Sequence, residues 1–355
     1  MTKTRVLIVD DSALIRQVLT EILSQDPSIE VIGTASDPFQ AREKIKALNP
    51  DVLTLDVEMP RMEGLTFLEK LMAGHPMPVV MVSFLIEQGC ETTLRALELG
   101  AVDFITKPKI DLRAGMVGLH QDLIDKVKGA ATARVRSSAV KREASEPGTN
   151  NASRPTLHSG AMLKTTDTII AIGASTGGTE ALSDVLRSLP PNTPPIIITQ
   201  HMPERFTTTF AKRLNDISQL TVKEAEDGDS VITGHALLAP GNFHMTLTRS
   251  GARYVVKIDQ HEPVNRHRPS VDVMFDSVAQ HAGRNAVGVI LTGMGADGAK
   301  GLLAMKHAGA YTMAQDEASC VVFGMPKEAI KLGAADKILP LSQIAEALLA
   351  HVRVS

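Results

Sequence analysis

Cysteine is scarce in this sequence of 355 residues, where only Cys90 and Cys320 occur. The two lie far apart and outside any CxxC or Cys/His spacing, so the sequence indicates neither a disulfide framework nor a zinc site. Such sparse cysteine is typical of a reducing compartment, and we expect the protein to be cytoplasmic.

An excess of positive charge is also missing. The sequence has 37 basic and 40 acidic side chains, which gives a net charge of -3. Because a protein that binds nucleic acid or an anionic membrane in bulk carries an overall positive field, this balance argues against both partners.

Long apolar runs are lacking too. Near the start, the short apolar run that ends at Val9 is followed directly by Asp10 and Asp11, a pattern of neither a signal peptide nor a membrane span. What is present is an ordinary globular composition, with 43% hydrophobic and 22% charged residues. The length suits two domains of roughly 100 to 200 residues each.

Strand patterns divide the chain into three parts. In residues 1–128, short β-branched runs alternate with helical patterns, which predicts a five-stranded, parallel, doubly wound sheet of the flavodoxin-like type. The runs are Val6–Val9, Ile29–Ala35, Val52–Leu55, Val79–Val82 and Val102–Ile105. Residues 129–165 are rich in Ala, Ser, Thr, Asn and Pro without a sustained period, and they predict a linker.

Residues 166–355 predict a second α/β domain. The runs at Thr168–Ile172, Ile196–Thr199 and Val287–Leu291 are typical of buried parallel strands. By contrast, His244–Thr248 and Arg253–Ile258 flank a turn signal, which predicts an antiparallel hairpin. We therefore expect a doubly wound, mostly parallel α/β domain with one antiparallel hairpin.

Polar residues follow the predicted strands of the first domain at their carboxyl ends, which meet at one edge of the sheet. These residues are Asp10, Asp11, Asp56, Ser83 and Lys107. Each aspartate alone is explained equally well as a helix cap, but the set favours a site. Three carboxylates together repel one another unless a divalent cation neutralises them, and Mg²⁺ suits such oxygen ligands. Asp56 would attack a phosphoryl donor, and Ser83 and Lys107 would hold the phosphoryl oxygens.

Residues 1 to about 125 resemble a response-regulator receiver domain, through the motifs VDDSALIRQ, TLDVEMPRMEG, MVSF and DFITKP. The resemblance implies phosphorylation of Asp56. It also implies that Mg²⁺ is held by Asp11, Asp56 and the main-chain carbonyl of Glu58, with Asp10 in support.

The same resemblance implies a switch formed by Ser83, Phe104 and Lys107, and a cis peptide bond before Pro108.

A second polar set follows strands of the second domain. The first of them runs into Gly173-Ala174-Ser175-Thr176-Gly177, which fits the G-x-S-x-G spacing of a nucleophile turn. A serine hydroxyl needs a base, and the next strand leads to His201. The strand that ends at Leu291 leads to Asp297, which would fix the tautomer of the imidazole. Each residue alone has a bland explanation, as a glycine-rich loop, a packing histidine and a helix cap, but their shared sheet edge favours a Ser-His-Asp site.

An alternative interpretation is a dinucleotide site. Gly293-x-Gly295-x-x-Gly298 fits that fingerprint, and Asp316 or Glu317 lies about 20 residues further on, where a ribose ligand is expected. Against this, the carboxylate of Asp297 would repel a pyrophosphate at the helix N-terminus.

A second alternative is a receiver that drives DNA binding. A DNA reader carries a basic recognition helix in a compact module, whereas this half is about 190 residues of α/β pattern. The stretch Arg266-His267-Arg268 is expected to be a solvated loop or a contact to acidic receptor helices.

Residues from about 167 to 350 resemble the catalytic domain of the CheB family, the chemotaxis protein-glutamate methylesterases. The motifs are IGASTGG, QHMPERFT, LAPGNFHM, RHRPSVDVMF, LTGMGADGAKG and AQDEASCVVFGMPKEAI. The resemblance implies a triad of Ser175, His201 and Asp297, with the main-chain N–H of Met294 as an oxyanion donor. The geometry of a nucleophile turn adds the N–H of Thr176 as a second donor.

Together the two resemblances imply a phosphorylation-activated hydrolase that removes methyl esters from receptor glutamates and deamidates glutamines more slowly. They imply methyl-accepting chemotaxis receptors as substrates, a chemotaxis histidine kinase as phosphodonor, Mg²⁺ for receiver phosphorylation and no cofactor for hydrolysis. We expect a monomer with no nucleic-acid partner and no direct membrane insertion.

Overall fold

The computed structural model of the protein describes residues 3–59, 64–83, 87–107, 116–135 and 168–354. The chain divides into two compact units, Met1–Pro147 and Gly148–Ser355. Within the described ranges, we find no helix with the length and apolarity needed to cross a membrane. Pro108 and most of the predicted linker lie outside the described residues, so the domain boundaries remain a prediction.

The first unit is built on a five-stranded sheet in the order β2-β1-β3-β4-β5, with all neighbours parallel, as predicted. The strands are β1 Thr4–Val9, β2 Ile29–Ala35, β3 Val52–Asp56, β4 Val79–Ser83 and β5 Asp103–Thr106. The helices are α1 Ala13–Leu23, α2 Pro38–Leu48, α3 Gly64–Gly74, α4 Glu87–Glu98 and α5 Met116–Ala131. The last helix therefore includes the first three residues of the predicted linker.

Burial on both faces explains why these strands read as continuous apolar runs. All residues from Val6 to Val9 are fully buried, as expected for strands covered by helices on two sides. Polar residues begin the helices that follow: the side chain of Ser12 caps α1, and that of Asp37 caps α2. The strand order reverses at β1, which opens a crevice at its carboxyl end.

The second unit contains a seven-stranded sheet in the order β14-β13-β12-β6-β7-β9-β8, with all neighbours parallel. The strands are β6 Ile169–Ala174, β7 Ile196–Gln200, β8 Thr221–Glu224, β9 His235–Leu238, β12 Ala286–Ile290, β13 Tyr311–Gln315 and β14 Lys337–Leu339. The helices are α6 Gly178–Arg187, α7 Phe206–Ile217, α8 Val271–His281, α9 Ala299–His307, α10 Met325–Lys331 and α11 Leu341–Val354, with a short 3-10 turn at Gly283–Asn285.

The predicted antiparallel hairpin is confirmed. Strands β10 His244–Ser250 and β11 Arg253–Asp259 pair over their full lengths, and the turn between them is Gly251-Ala252. Gly251 has φ 61, a left-handed conformation that glycine adopts without a steric penalty. Phe275 of α8 and Leu302 of α9 belong to the same buried apolar cluster as residues of β6 and the hairpin.

Candidate active site

The turn after β6 presents Ser175 at the start of α6. The N–H of Ser175 donates to the carbonyl of Thr292 (3.0 Å), and the N–H of Gly178 donates to the carbonyl of Ser175 (2.7 Å). Gly177 has φ 76, and a Cβ added there would lie 2.5 Å from the Cβ of Val321. Small residues are therefore required around this serine, because the backbone passes close to its neighbours.

The structure brings the three predicted residues together. Ser175 follows β6, His201 follows β7, and Asp297 lies beyond β12, so all three stand at the carboxyl edge of adjacent strands. The Oγ of Ser175 lies 3.1 Å from Nδ1 of His201, and Nε2 of His201 lies 2.8 Å from Oδ2 of Asp297. Both the imidazole and the carboxylate are almost fully buried, with 7% and 1% of their side chains exposed.

The carboxylate of Asp297 determines which ring nitrogen of His201 carries the proton. An ionised carboxylate only accepts hydrogen bonds, so Nε2 of His201 carries the proton and donates it to Asp297. The other nitrogen, Nδ1, then has a free lone pair for the hydroxyl of Ser175. This is the tautomer that a general base requires.

The N-terminus of α8 holds Asp297 in place. Its Oδ2 accepts the N–H of Val271 (2.6 Å), and its Oδ1 accepts the Oγ–H of Ser270 (2.8 Å) and Nδ2–H of Asn265 (2.6 Å). Asp297 is thus bound to another helix, and α9, which follows it, has Gly298 at its N-cap position with no side-chain hydrogen bond.

The same contacts keep Asp297 ionised. Burial alone would raise its pKa, but the hydrogen bond and charge interaction with His201 outweigh burial, with further hydrogen bonds from Asn265 and Val271. The pKa of Asp297 therefore lies well below its usual range, so the carboxylate is available as an acceptor throughout the physiological pH range.

Several residues of this site were not predicted. Asn265 and Ser270 bind Asp297, the Nε2–H of Gln200 donates to the carbonyl of Ser175 (2.9 Å), and the ring of His267 stacks on His201. Ser270 had a usable signal, since it precedes an apolar helical pattern as an N-cap residue does. His267 lies in the stretch expected to be a solvated loop or a receptor contact, and its place against His201 corrects the solvated-loop expectation for that residue.

The loop that follows β12 passes against the nucleophile turn. A Cβ added to Gly293 would lie 2.8 Å from the Cβ of Ser175, so the residue before Met294 lies against the serine. Thr176 is buried, and its carbonyl accepts the Oγ–H of Thr292 (3.0 Å). The roles of the Met294 and Thr176 N–H groups as oxyanion donors remain predictions.

The predicted acidic residues of the first unit also lie together. One carboxylate oxygen from each of Asp10, Asp11 and Asp56 lies within 4.8 Å of the others. Nζ of Lys107 lies 2.7 Å from Oδ2 of Asp56 and 3.0 Å from Oδ2 of Asp10. Burial raises the pKa of Asp56 to about 6, a rise that the hydrogen bond from Lys107 opposes and the charge of Asp10 strengthens. Three clustered carboxylates with one cation fit a divalent metal ion, which would relieve their repulsion.

The predicted switch residues Ser83 and Phe104 lie on β4 and β5 of the sheet whose carboxyl edge carries this cluster. Ser83 ends β4, next to β3 that ends at Asp56, and Phe104 lies in β5; both side chains are buried. The N–H of Glu58 donates to Oδ1 of Asp56 (3.1 Å), which places Glu58 at the cluster, while its carbonyl as a metal ligand remains a prediction.

Comparison with known families matches both units. Residues 170–348 match the family model of the CheB methylesterase, and residues 6–114 match that of the response regulator receiver domain. The chain belongs to the CheB methylesterase family. The methylesterase match includes Ser175, His201 and Asp297, and the receiver match includes Asp56 and Lys107.

Relatives that match nearly the whole chain, and one solved structure, agree with the assignment of this chain to the methylesterase family. A protein-glutamate methylesterase/protein-glutamine glutaminase of Paraburkholderia xenovorans is 59% identical over 353 residues, covering 99% of this chain and 97% of that protein. The protein of the same description from Salmonella typhimurium is 58% identical over 352 residues, covering 99% and 98%. The crystal structure of the Thermotoga maritima CheB methylesterase catalytic domain is 44% identical, with a TM-score of 0.51, and covers 52% of this chain and 98% of that one.

These findings exclude the two alternative functions considered for the second unit, a dinucleotide site and DNA binding. The region of the dinucleotide fingerprint lies inside the methylesterase match, and Asp297 would place a carboxylate where a pyrophosphate needs positive potential. The unit that would have to bind DNA is a methylesterase domain instead.

Proposed function

We propose that this protein is a phosphorylation-activated hydrolase that removes methyl esters from glutamate side chains of methyl-accepting chemotaxis receptors. The observation that carries the proposal is the continuous hydrogen-bond chain from Ser175 through His201 to Asp297 at one sheet edge. The descriptions of its relatives supply the substrate class, a glutamyl ester or a glutamine of a protein.

In the first step, Oγ of Ser175 attacks the γ-carbonyl of the glutamyl methyl ester while Nδ1 of His201 takes its proton. The imidazolium that forms is stabilised by Asp297 through Nε2–H. The N–H groups of Met294 and Thr176 donate to the oxyanion of the tetrahedral intermediate. The C–O bond to the methoxy group then breaks, and Nδ1–H gives its proton to the departing oxygen, which leaves as methanol.

In the second step, water hydrolyses the acyl-enzyme. His201 takes a proton from the attacking water and returns it to Oγ of Ser175 as the acyl bond breaks, which releases a glutamate side chain. A glutamine presents the same carbonyl with a poorer leaving group, ammonia in place of methanol. Deamidation by the same residues is therefore expected to be slower.

Control of the hydrolase is assigned to the receiver unit. The carboxylate of Asp56 accepts a phosphoryl group, with a chemotaxis histidine kinase as donor, and Lys107 pairs with the added negative charge. Asp11, Asp56 and the Glu58 carbonyl would hold Mg²⁺, with Asp10 in support, and the bound ion would neutralise charge during phosphoryl transfer. Ser83 and Phe104 change conformation in response to the negative charge of the phosphoryl group, as switch residues. We further propose a cytoplasmic monomer.

The test is methanol release from methylated receptor, with and without a small phosphodonor. Ser175→Ala is expected to abolish release in both conditions, because it removes the hydroxyl that lies 3.1 Å from Nδ1 of His201. Ser188→Ala, at an exposed position just after α6, is the matched control and should match the wild type. Methanol release retained by Ser175→Ala would overturn the proposed function.

A further inference from the structure

A tight turn outside the sheet reaches the triad. Val264 and His267 bond to each other through both main-chain groups, N–H of Val264 to the carbonyl of His267 (3.1 Å) and the reverse (2.9 Å). The two residues between them, Asn265 and Arg266, have φ 52 and φ 69. Two central residues in the left-handed region identify a turn of type I′, here called the 264–267 turn.

This turn contacts two members of the hydrogen-bond chain at once. Nδ2 of Asn265 donates to Asp297 (2.6 Å) and to Asp272 (2.8 Å). The ring of His267 lies parallel to that of His201, with centroids 3.7 Å apart and planes inclined by 13°. The turn thus binds the carboxylate with one side chain and covers the imidazole with another.

The turn is firmly anchored by the next residue. The guanidinium of Arg268 donates through Nε and Nη2 to the side-chain oxygen of Asn242 (3.2 and 2.8 Å). Its Nη1 donates to the carbonyls of Gln260 (3.1 Å) and His261 (3.0 Å). Left-handed conformations at two residues other than glycine cost free energy and persist only where surrounding contacts enforce them, as they do here.

The stacked ring of His267 restricts a motion of His201 that the two hydrogen bonds of His201 leave possible. Hydrogen bonds at ring nitrogens are strongest near the plane of the ring, so they do not by themselves fix the tilt of the imidazole about the line that joins its nitrogens. A flat partner at 3.7 Å restricts that tilt. A small misalignment of a general base lowers the rate of proton transfer steeply, so the restriction matters for turnover.

His267 itself is poorly placed to exchange protons with His201. In a parallel stack the nitrogen lone pairs and N–H bonds of the two rings point along parallel planes, so neither ring can donate to the other. Its contact with His201 is therefore made through the face of the ring.

We propose that His267 is a positioning residue for hydrolysis, whose ring face holds His201 in the plane that serves both Ser175 and Asp297. The inference rests on the proposed function of that triad. On this proposal, the 264–267 turn contributes residues to the site although it lies outside the strands that carry the triad.

The experiment compares kcat and KM for methanol release in His267→Ala and His267→Phe, alongside Ser175→Ala. His267→Ala is expected to lower kcat by about 10- to 100-fold with KM changed less than about twofold, because the base is misaligned but the substrate still binds. His267→Phe keeps a flat ring and should recover kcat to within about threefold of the wild type.

The matched control is His351→Ala. The ring of His351 also stacks on an aromatic ring, that of Tyr311, with centroids 4.1 Å apart and planes inclined by 6°. Tyr311 begins β13, so this stack lies at the opposite end of the strands from the triad. Loss of the His351 ring should leave kcat unchanged. This control shows whether losing any stacked ring lowers kcat, or only losing the ring of His267.

The outcomes separate the inference from the function it rests on. Wild-type kcat in His267→Ala, or an equal loss in His267→Ala and His267→Phe, would overturn the positioning role while Ser175→Ala stays inactive. Activity of Ser175→Ala would instead overturn the triad. If circular dichroism shows that His267→Ala is unfolded, His267→Leu replaces it, since leucine fills the space without a flat ring. Leucine should then show the low kcat and phenylalanine the recovered one, and equal values would reject the proposal.

Discussion

At the scale of single residues, both carboxylate oxygens of Asp297 are needed as hydrogen-bond acceptors, so an amide cannot replace the carboxylate. Its Oδ1 accepts from Ser270 and Asn265, and its Oδ2 accepts from Val271 and His201, so both oxygens face donors. An asparagine there must point its NH₂ group at one of these sets. Each choice sets a donor against a donor, which leaves buried groups unsatisfied.

Asp297→Asn is therefore expected to lower kcat by roughly 10⁴-fold, the loss seen when the histidine of a triad is held in the wrong tautomer. An NH₂ group facing His201 favours the ring with its proton on Nδ1, which removes the acceptor for Ser175. The measurement is methanol release under saturating receptor. Asp216→Asn, at an exposed position on α7, is the control and should behave as the wild type. A loss of less than about tenfold in Asp297→Asn would contradict the assigned tautomer.

At the scale of secondary-structure elements, the N-terminus of α8 joins the triad to the hairpin. Ser270 caps α8 and binds Asp297, while its N–H donates to Nδ1 of His244 at the start of β10 (3.2 Å). Nε2–H of His244 donates to the carbonyl of Glu262 (3.2 Å). The bond from Ser270 requires a neutral imidazole, because a proton on Nδ1 would face the N–H of Ser270.

This arrangement predicts a loss of stability in acid. Burial lowers the pKa of His244 below its ordinary value of 6.5, so the unfolded chain binds the proton more readily than the folded one. The stabilisation is complete above the unfolded-state pKa and is lost as pH falls below it, by up to about 1.4 kcal/mol per pH unit until the folded-state pKa is reached. Urea unfolding followed by circular dichroism at about pH 8 and about pH 5.5 measures the difference.

Two variants assign that acid sensitivity to His244. His244→Gln keeps a donor and an acceptor but does not titrate, so its free energy of unfolding should depend less on pH than that of the wild type. His307→Gln, at an exposed position at the end of α9, should keep the wild-type dependence. An unchanged dependence in His244→Gln would exclude this histidine as the cause.

The elements differ in how far the sequence predicts them. Mostly buried strands such as β1, β6 and β12 are predicted to within one or two residues, because both of their faces are apolar and their apolar runs are continuous. The predictions omit β9 and β13 inside the seven-stranded sheet, and they also omit β8 and β14, which lie at its two edges. The two edge strands are four and three residues long and are partly exposed, so their hydrophobic pattern is too short to identify.

At the scale of the whole molecule, the same distinction explains what was predicted of the site. Ser175, His201 and Asp297 follow strands of one parallel sheet, so their meeting is a consequence of topology that sequence patterns reveal. Asn265 and His267 come from a turn between the hairpin and α8. Their approach to the sheet edge depends on tertiary packing and on contacts such as those of Arg268, which no local pattern encodes.

The two units also predict a difference in metal dependence. In the proposed function, the acidic cluster would hold a divalent cation that offsets the repulsion of three carboxylates when a phosphoryl group approaches Asp56. Hydrolysis by the proposed triad proceeds through proton transfers among Ser175, His201 and Asp297, which call for no such ion. A chelator should therefore separate the two activities of one chain.

We expect EDTA to abolish the stimulation of methanol release by a phosphodonor and to leave the unstimulated rate unchanged, because only phosphoryl transfer to Asp56 requires the cation. Added Mg²⁺ in excess should restore stimulation in the wild type. Asp56→Asn is the control, since it should show the unstimulated rate in all three conditions. Stimulation that persists in EDTA would contradict the metal role of the acidic cluster, and an unstimulated rate that falls with the chelator would contradict a hydrolase that works through its triad alone.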